Sequence, residues 1–300
     1  MFCGAYRAIK KGIRDGVIRY FCKLCRKSFS SKRREKRKAA KLFKTYLFNK
    51  QTKSQLKEKI GLSINTITRI LDSCEINKKI HNPREIVTVM DATYFGRQNG
   101  VLVARDPNKK ENLYCCEITS ETKEEYKKAR VYLEKLGYTI KAVVLDGKRG
   151  MPSVFKDIYV QICQFHQWQI IRRKLTLKPK LESHQALLSI GRWISRTNRK
   201  ELKRMLDVFE KKYRKELNEK TYILGTNRWH FTHAKLRSAY GSLIRNLPNL
   251  YTYQDHPELN IPNTTNSLDG SFNALKSHVN IHRGLRTDRR LKIIKGYLKL

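Results

Sequence analysis

Two short runs constrain this chain more than anything else in it. Glu85-Ile-Val-Thr-Val-Met-Asp91-Ala-Thr-Tyr-Phe-Gly96 and Thr139-Ile-Lys-Ala-Val-Val-Leu-Asp146-Gly-Lys-Arg-Gly150 are built alike, as aliphatic, β-rich stretches that end on a carboxylate with glycine close behind. Such runs read as buried strands that deliver Asp91 and Asp146 into loops at their C-terminal ends. One Asp in that position also suits the cap of a following helix. Two of them form a pair of ligands for a hard divalent cation, which prefers carboxylate oxygens. A third carboxylate, Asp269, stands beside Leu268, Phe272 and Leu275, which fall at helical spacing.

The segments between these acids set the fold class. After the Asp91 run, Val101–Arg105 and Asn112–Thr119 continue as an antiparallel meander, and a helix over Ser120–Leu136 stops at Gly137. The Asp146 strand, a short helix near Ser153–Lys156 and a fifth strand over Ile158–Cys163 follow. The order βββαβαβ, with acids on the first and fourth strands, is similar to that of the ribonuclease H-like fold. Residues 178–250 show helical patterning in two stripes, Leu187, Ile190, Trp193 and Ile194, then Leu202, Met205, Leu206, Phe209 and Tyr213. They are expected to form an all-α insertion.

Cys163 closes the fifth strand and His166 sits near the next helix start. Two ligands do not make a zinc site, so the expectation is a packed, hydrogen-bonded histidine close to the acids. Arg228, His230, His233, Lys235 and Arg237 surround Trp229 in a basic and aromatic cluster suited to DNA. Trp193 and Trp229 fit either core packing or stacking on a base.

With 65 Lys and Arg against 26 Asp and Glu, the formal charge is +39, which favours a polyanionic partner. The charge is spread along the whole chain and not gathered on one amphipathic helix, which points to nucleic acid over a membrane surface. No run of 18 apolar residues and no apolar h-region are present, so a cytoplasmic, nucleoid-associated protein is expected. A basic run containing Arg33, Arg34 and Arg37 reads as a phosphate-contacting arm. Gln51–Leu71 carries two helical patterns joined at Gly61-Leu62-Ser63, a helix-turn-helix signature. Ile64, Ile67, Ile70 and Leu71 would face inward, and Asn65, Thr66, Thr68 and Arg69 would face the major groove. Cys3, Cys22 and Cys25 supply three of the four ligands of a zinc ribbon, so Zn2+ there is incomplete.

Asp91, Asp146, Cys163-x-x-His166, the helical stretch and Thr265-Asn266-Ser-Leu-Asp269-Gly resemble the DDE transposases of the Mutator-like and related insertion-sequence group. The likeness runs from about Ile86 to the C-terminus, and the zinc-ribbon-like and helix-turn-helix segments suit it. The family's third acid is usually Glu, and here the matching position is Asp269. The resemblance implies an α/β fold with a ribonuclease H-like catalytic domain. It also implies catalytic Asp91, Asp146 and Asp269 holding two Mg2+ or Mn2+ ions, with Cys163 and His166 as near-site features. Cleavage and strand transfer would occur on double-stranded DNA, element ends and target alike, by a homodimer or higher oligomer. The expected segments are a zinc-ribbon-like piece (1–30), the arm and helix-turn-helix (31–76) and a linker (77–84). The core's first part (85–177), the insertion (178–250) and the last catalytic helix with a basic C-terminal helix (251–300) complete the chain. A nuclease that cuts without joining and a DNA-binding regulator with a dead site are the alternatives.

Overall fold

The computed structural model describes residues 8–14, 17–30, 33–76, 79–96, 99–282 and 284–298, with the backbone alone at 33–38. Cys3 therefore lies outside the described residues, as do the side chains of Arg33, Arg34 and Arg37. Internal packing divides the chain into two compact units, Met1–Lys78 with Leu275–Lys299, and Lys79–Ala274.

The first unit opens with a three-stranded antiparallel sheet, β1 (Ala8–Arg14), β2 (Val17–Cys22) and β3 (Ser28–Ser30). Cys22 and Cys25 flank the turn between β2 and β3, closed by Cys22 N donating to Lys27 O at 3.0 Å. Helix α1 (Arg33–Phe48) is followed by α2 (Lys53–Ile60) and α3 (Ile64–Ser73). The turn between α2 and α3 is specified locally. Thr52 and Gln55 form a reciprocal capping box, and Gly61 takes φ +73° to end α2. Ser63 Oγ then accepts from Thr66 N at 3.1 Å to start α3. Ile67 and Leu71 are buried as expected, whereas Ile64 is exposed and Ile70 is half-buried.

The second unit holds the main sheet. β4 (Glu85–Tyr94), β5 (Gly100–Asp106), β6 (Glu111–Ile118), β7 (Thr139–Leu145) and β8 (Tyr159–Ile162) lie in the order β6-β5-β4-β7-β8. β4, β5 and β6 are antiparallel neighbours, while β7 runs parallel to β4 and β8 parallel to β7. This is a mixed α/β architecture with a five-stranded mixed sheet. Helix α4 (Lys123–Lys135) makes the crossover into β7 and buries Tyr126, Ala129 and Leu133 in one cluster with Met90, Leu102 and Leu113. Successive strand residues alternate faces, so Asp91 leaves the face that Met90 occupies.

After β8 come α5 (Gln164–Leu175), α6 (Glu182–Trp193) and α7 (Arg199–Asn218), then β9 (Lys220–Tyr222), β10 (Trp229–Phe231) and α8 (Ala234–Asn246). The expected all-α insertion is thus corrected, because β9 and β10 pair as an antiparallel hairpin. Three-residue strands are too short to register as an alternating pattern. The turn itself is set by Gly225 at φ +74° and by Thr226 N and Oγ1 both donating to Ile223 O.

The short α9 (Thr252–Asp255) leads to α10 (Asn266–Ile281), and α11 (Thr287–Leu298) is the last element among the described residues. In the first unit α11 buries Ile293, Ile294 and Leu298. Gly296 permits its approach to α1, since a Cβ there would lie 2.9 Å from Phe43. Arg289 grips Asp72 with two hydrogen bonds of 2.9 and 2.6 Å, and Lys292 Nζ donates to the last carbonyls of α3, Leu71 O and Asp72 O. The basic C-terminal helix therefore spends these two cations on α3.

Candidate metal centre

Asp91 is carried by β4 and Asp146 follows β7. In the paired register Val89 lies opposite Val144, and each acid stands two residues further on, so the two leave adjacent parallel strands at the same level. Asp146 Oδ1 accepts from Lys148 N at 2.9 Å, shaping the turn in which Gly147 takes φ +82°. Asp91 is buried, its Oδ1 accepting from Ala92 N at 2.8 Å, and among the described residues no side chain hydrogen-bonds to it.

Cys163 follows β8 and caps α5, its Sγ accepting from His166 N at 3.5 Å and from Thr265 N at 3.3 Å. Thr265, fully buried, lies one turn ahead of Asp269 at the start of α10. Its hydroxyl is 2.9 Å from Asp269 Oδ2, 3.2 Å from His166 Nδ1 and 3.5 Å from Cys163 Sγ. A hydroxyl has one proton to give, and the shortest of these contacts runs from Thr265 Oγ1 to Asp269 Oδ2. The proton therefore goes to Asp269, and His166 Nδ1–H donates to the Thr265 oxygen.

A buried amide network holds these elements together. Gln164 N donates to Asn263 O at 2.9 Å, and Gln164 Nε2 to Leu250 O at 3.0 Å. Gln167 Nε2 donates to Ser242 Oγ at 3.0 Å, and Asn246 Nδ2 to Gln167 Oε1 at 2.7 Å. The first two turns of α5 are thus tied to α8 and to the loop before α10, which fixes where His166 and Asp269 meet.

The outcome is a cluster that sequence reasoning only partly anticipated. One ligand atom from each of Asp91, His166 and Asp269 lies within 4.8 Å of the others. Asp146 is outside this closest group, yet its charge raises the Asp91 pKa. His166 was expected close to the acids as a packed, hydrogen-bonded residue, and the structure brings it within ligand distance of Asp91 and Asp269. The Cys163-x-x-His166 spacing put it on the first turn of α5, but nothing in that spacing pointed it at Asp91.

Electrostatics mark the same place. Burial pushes the Asp91 carboxyl up to about 7, opposed by the His166 charge and the Ala92 N–H and helped by Asp146 and Asp269. The hydrogen bond with Cys163 raises His166 to about 9, burial working against it and the charges of Cys163, Asp91 and Asp269 adding to it. Burial also opposes ionisation of Cys163, but hydrogen bonds and charge from His166 and Thr265 bring its thiol below the usual value. A buried carboxylate without a pairing side chain, beside a second carboxylate and an imidazole, fits a divalent cation. The imidazole in the donor set shifts preference from Mg2+ toward Mn2+ and its neighbours in the transition series.

The other expected residues fall as follows. Asn65 and Arg69 are exposed on α3, Thr66 and Thr68 are half-buried, and the Thr66 hydroxyl lies 2.9 Å from that of Ser63, so it serves the cap. Arg228 is exposed in the β9–β10 turn. Trp229 is 43% exposed rather than core-packed, but Lys220 Nζ sits 4.0 Å over its ring and Phe231 meets it edge-on. Among the described residues the close group of metal-ligating type is the one around Asp91, and Cys22 and Cys25 are not part of any. No described helix is long and apolar enough to cross a membrane. Compared with known proteins, the chain matches no protein-family model, and no curated protein matches it significantly.

Proposed function

We propose that this protein is a metal-dependent phosphoryl transferase acting on DNA, a transposase with a ribonuclease H-like catalytic domain. The observation that carries the reading is the convergence of Asp91, His166 and Asp269 to within 4.8 Å beside the C-terminal end of β4. Support comes from the strand order β6-β5-β4-β7-β8, which puts the strands bearing Asp91 and Asp146 side by side at the centre. The charge of +39 and the capped α2–turn–α3 unit supply the expected DNA-binding surface.

Asp91, Asp269 and His166 would hold the cation, with Asp146 completing the acidic wall. A bound divalent ion polarises the phosphodiester and lowers the pKa of an attacking hydroxyl or water. The chain's own part is positional. Thr265 aims Asp269 and the His166 ring, Cys163 caps the start of α5, and the amide network keeps α5 and α10 from drifting apart. In this reading the 3′-hydroxyl released by cleavage is the nucleophile for joining.

The reading is tested with supercoiled plasmid and a labelled 3′-hydroxyl oligonucleotide in Mn2+. Nicking and joining by the wild type, both lost in Asp91→Asn and Asp269→Asn with DNA binding retained, is the expected result. Nicking without joining would make the protein a nuclease. Asp146 lies outside the close group of Asp91, His166 and Asp269, which favours as a second reading a DNA-binding regulator. Binding with no metal-dependent chemistry would establish that one.

A further inference from the structure

Beside the metal-ligating group, in the same unit, lies a cavity of about 430 Å³. This is within the roughly 300–1,000 Å³ of small-molecule sites. Its wall alternates in sequence with the site itself, because Phe165 precedes His166 while Thr264 and Asn266 flank Thr265. The opposite side is formed by the end of α6 and the turn after it, which bring Arg192 and Arg196.

Two features define what the cavity can take. The first is aromatic. Phe165 is 43% exposed, with its ring centroid 6.0 Å from that of His166. Trp168 lies against Gly191, where a Cβ would come within 2.9 Å of the indole Cε3, so the missing side chain lets the ring settle as a wall. The second feature is cationic. Arg192 and Arg196 are exposed, and among the described residues neither forms an ion pair, in contrast to Arg84, Arg130 and Arg199. Polar recognition is left to Ser195, Thr264 and Asn266, since the Gln164 amide is already engaged by Leu250 O and Asn263 Nδ2.

A flat apolar wall with two uncommitted guanidinium groups suits a ligand that is both planar and anionic, which is a nucleotide. A paired base hides both faces between its neighbours, so only an unstacked one can use these rings. We propose that the cavity receives one unpaired nucleotide of the DNA substrate, its base against Phe165 and Trp168 and its phosphate on Arg192 and Arg196, next to the phosphodiester at the carboxylate group. This rests on the phosphoryl-transfer reading and goes beyond it, because it assigns a separate site that holds DNA open.

The test uses the full chain in EDTA with two short duplexes of one sequence, one fully paired and one carrying a single unpaired 2-aminopurine. Wild type is expected to bind the second about tenfold more tightly and to quench its fluorescence through stacking. Phe165→Ala and Arg192→Ala, both at exposed positions, are expected to erase that preference and the quenching while affinity for the paired duplex stays within about twofold. Thermal unfolding of each variant separates this result from misfolding. Equal affinity for the two duplexes, or a preference that survives both substitutions, overturns the cavity assignment and leaves the DNA reading standing. Binding to neither duplex at low salt overturns the DNA reading itself.

Discussion

Thr265 and Asp269 stand one helical turn apart, and the hydroxyl of the first donates to Oδ2 of the second across 2.9 Å. The same oxygen accepts from His166 Nδ1, so one buried threonine sets two of the three groups that meet at Asp91. Thr265→Val keeps the shape and removes the hydroxyl, leaving Nδ1–H without its acceptor. Removing such a support of a metal ligand typically costs about 10–100-fold in metal affinity or activity. The Mn2+ concentration needed for half-maximal plasmid nicking should rise by that factor, and Thr265→Ser should restore it. Wild-type Mn2+ dependence in the valine variant would remove Thr265 from the account.

Asp91 and His166 make the centre's stability fall as pH rises. The Asp91 carboxyl, at about 7 in the folded chain against an ordinary 3.8, keeps a proton that the unfolded chain has released. Its contribution is full below 3.8 and lost as pH climbs through 7. His166, at about 9 against 6.5, behaves in the same sense, contributing below 6.5 and losing that contribution through 9. A divalent cation competes with both protons, so its stabilisation should grow with pH. Melting temperatures in EDTA and in Mn2+, compared from about pH 5 to pH 9, should diverge upward. A metal increment that is flat with pH would show that neither group ligates.

Gly147 is the hinge on which Asp146 is presented. It takes φ +82°, and a Cβ there would lie 2.8 Å from Ile162 Cγ2 and 3.1 Å from Asn246 Nδ2. Gly147→Ala therefore combines backbone strain with overlap against β8 and the amide network, and should destabilise the chain by at least about 2 kcal/mol. Urea unfolding measures it, and a change under about 0.5 kcal/mol would show that the turn relaxes freely.

The sequence disclosed the parts of this site that follow from local period. Asp91 and Asp146 could be placed because the runs before them are long enough to read as strands, and Asp269 because Leu268, Phe272 and Leu275 mark its helix. That His166 lies near the acids could be read from Cys163-x-x-His166, but its convergence with Asp91 and Asp269 to ligand distance could not. The convergence depends on Gln164, Gln167 and Asn246 fastening α5 to partners 75 to 99 residues away, and single amides carry no periodic signal. The β9–β10 hairpin was hidden for a different reason, being shorter than any pattern window. The engagement of Arg289 and Lys292 was hidden because their partners on α3 are more than 200 residues distant.

Arg69 carries the remaining prediction, in the first unit. It is exposed on α3, whereas Thr66 is drawn back to the Ser63 cap, so Arg69 and Asn65 are the outward groups on this helix that remain free to meet base edges. A bidentate arginine contact to a guanine edge discriminates by about 1–3 kcal/mol, while phosphate contacts weaken all sequences alike. Against DNA enriched from a random pool by the wild-type protein, Arg69→Ala should lose affinity by about that amount and change little on unselected DNA. Thr66→Ala should leave the ratio of the two affinities near its wild-type value, since the Ser63 cap can still accept the backbone N–H of residue 66. Equal losses on both DNAs for Arg69→Ala would mean that α3 touches only the phosphate backbone.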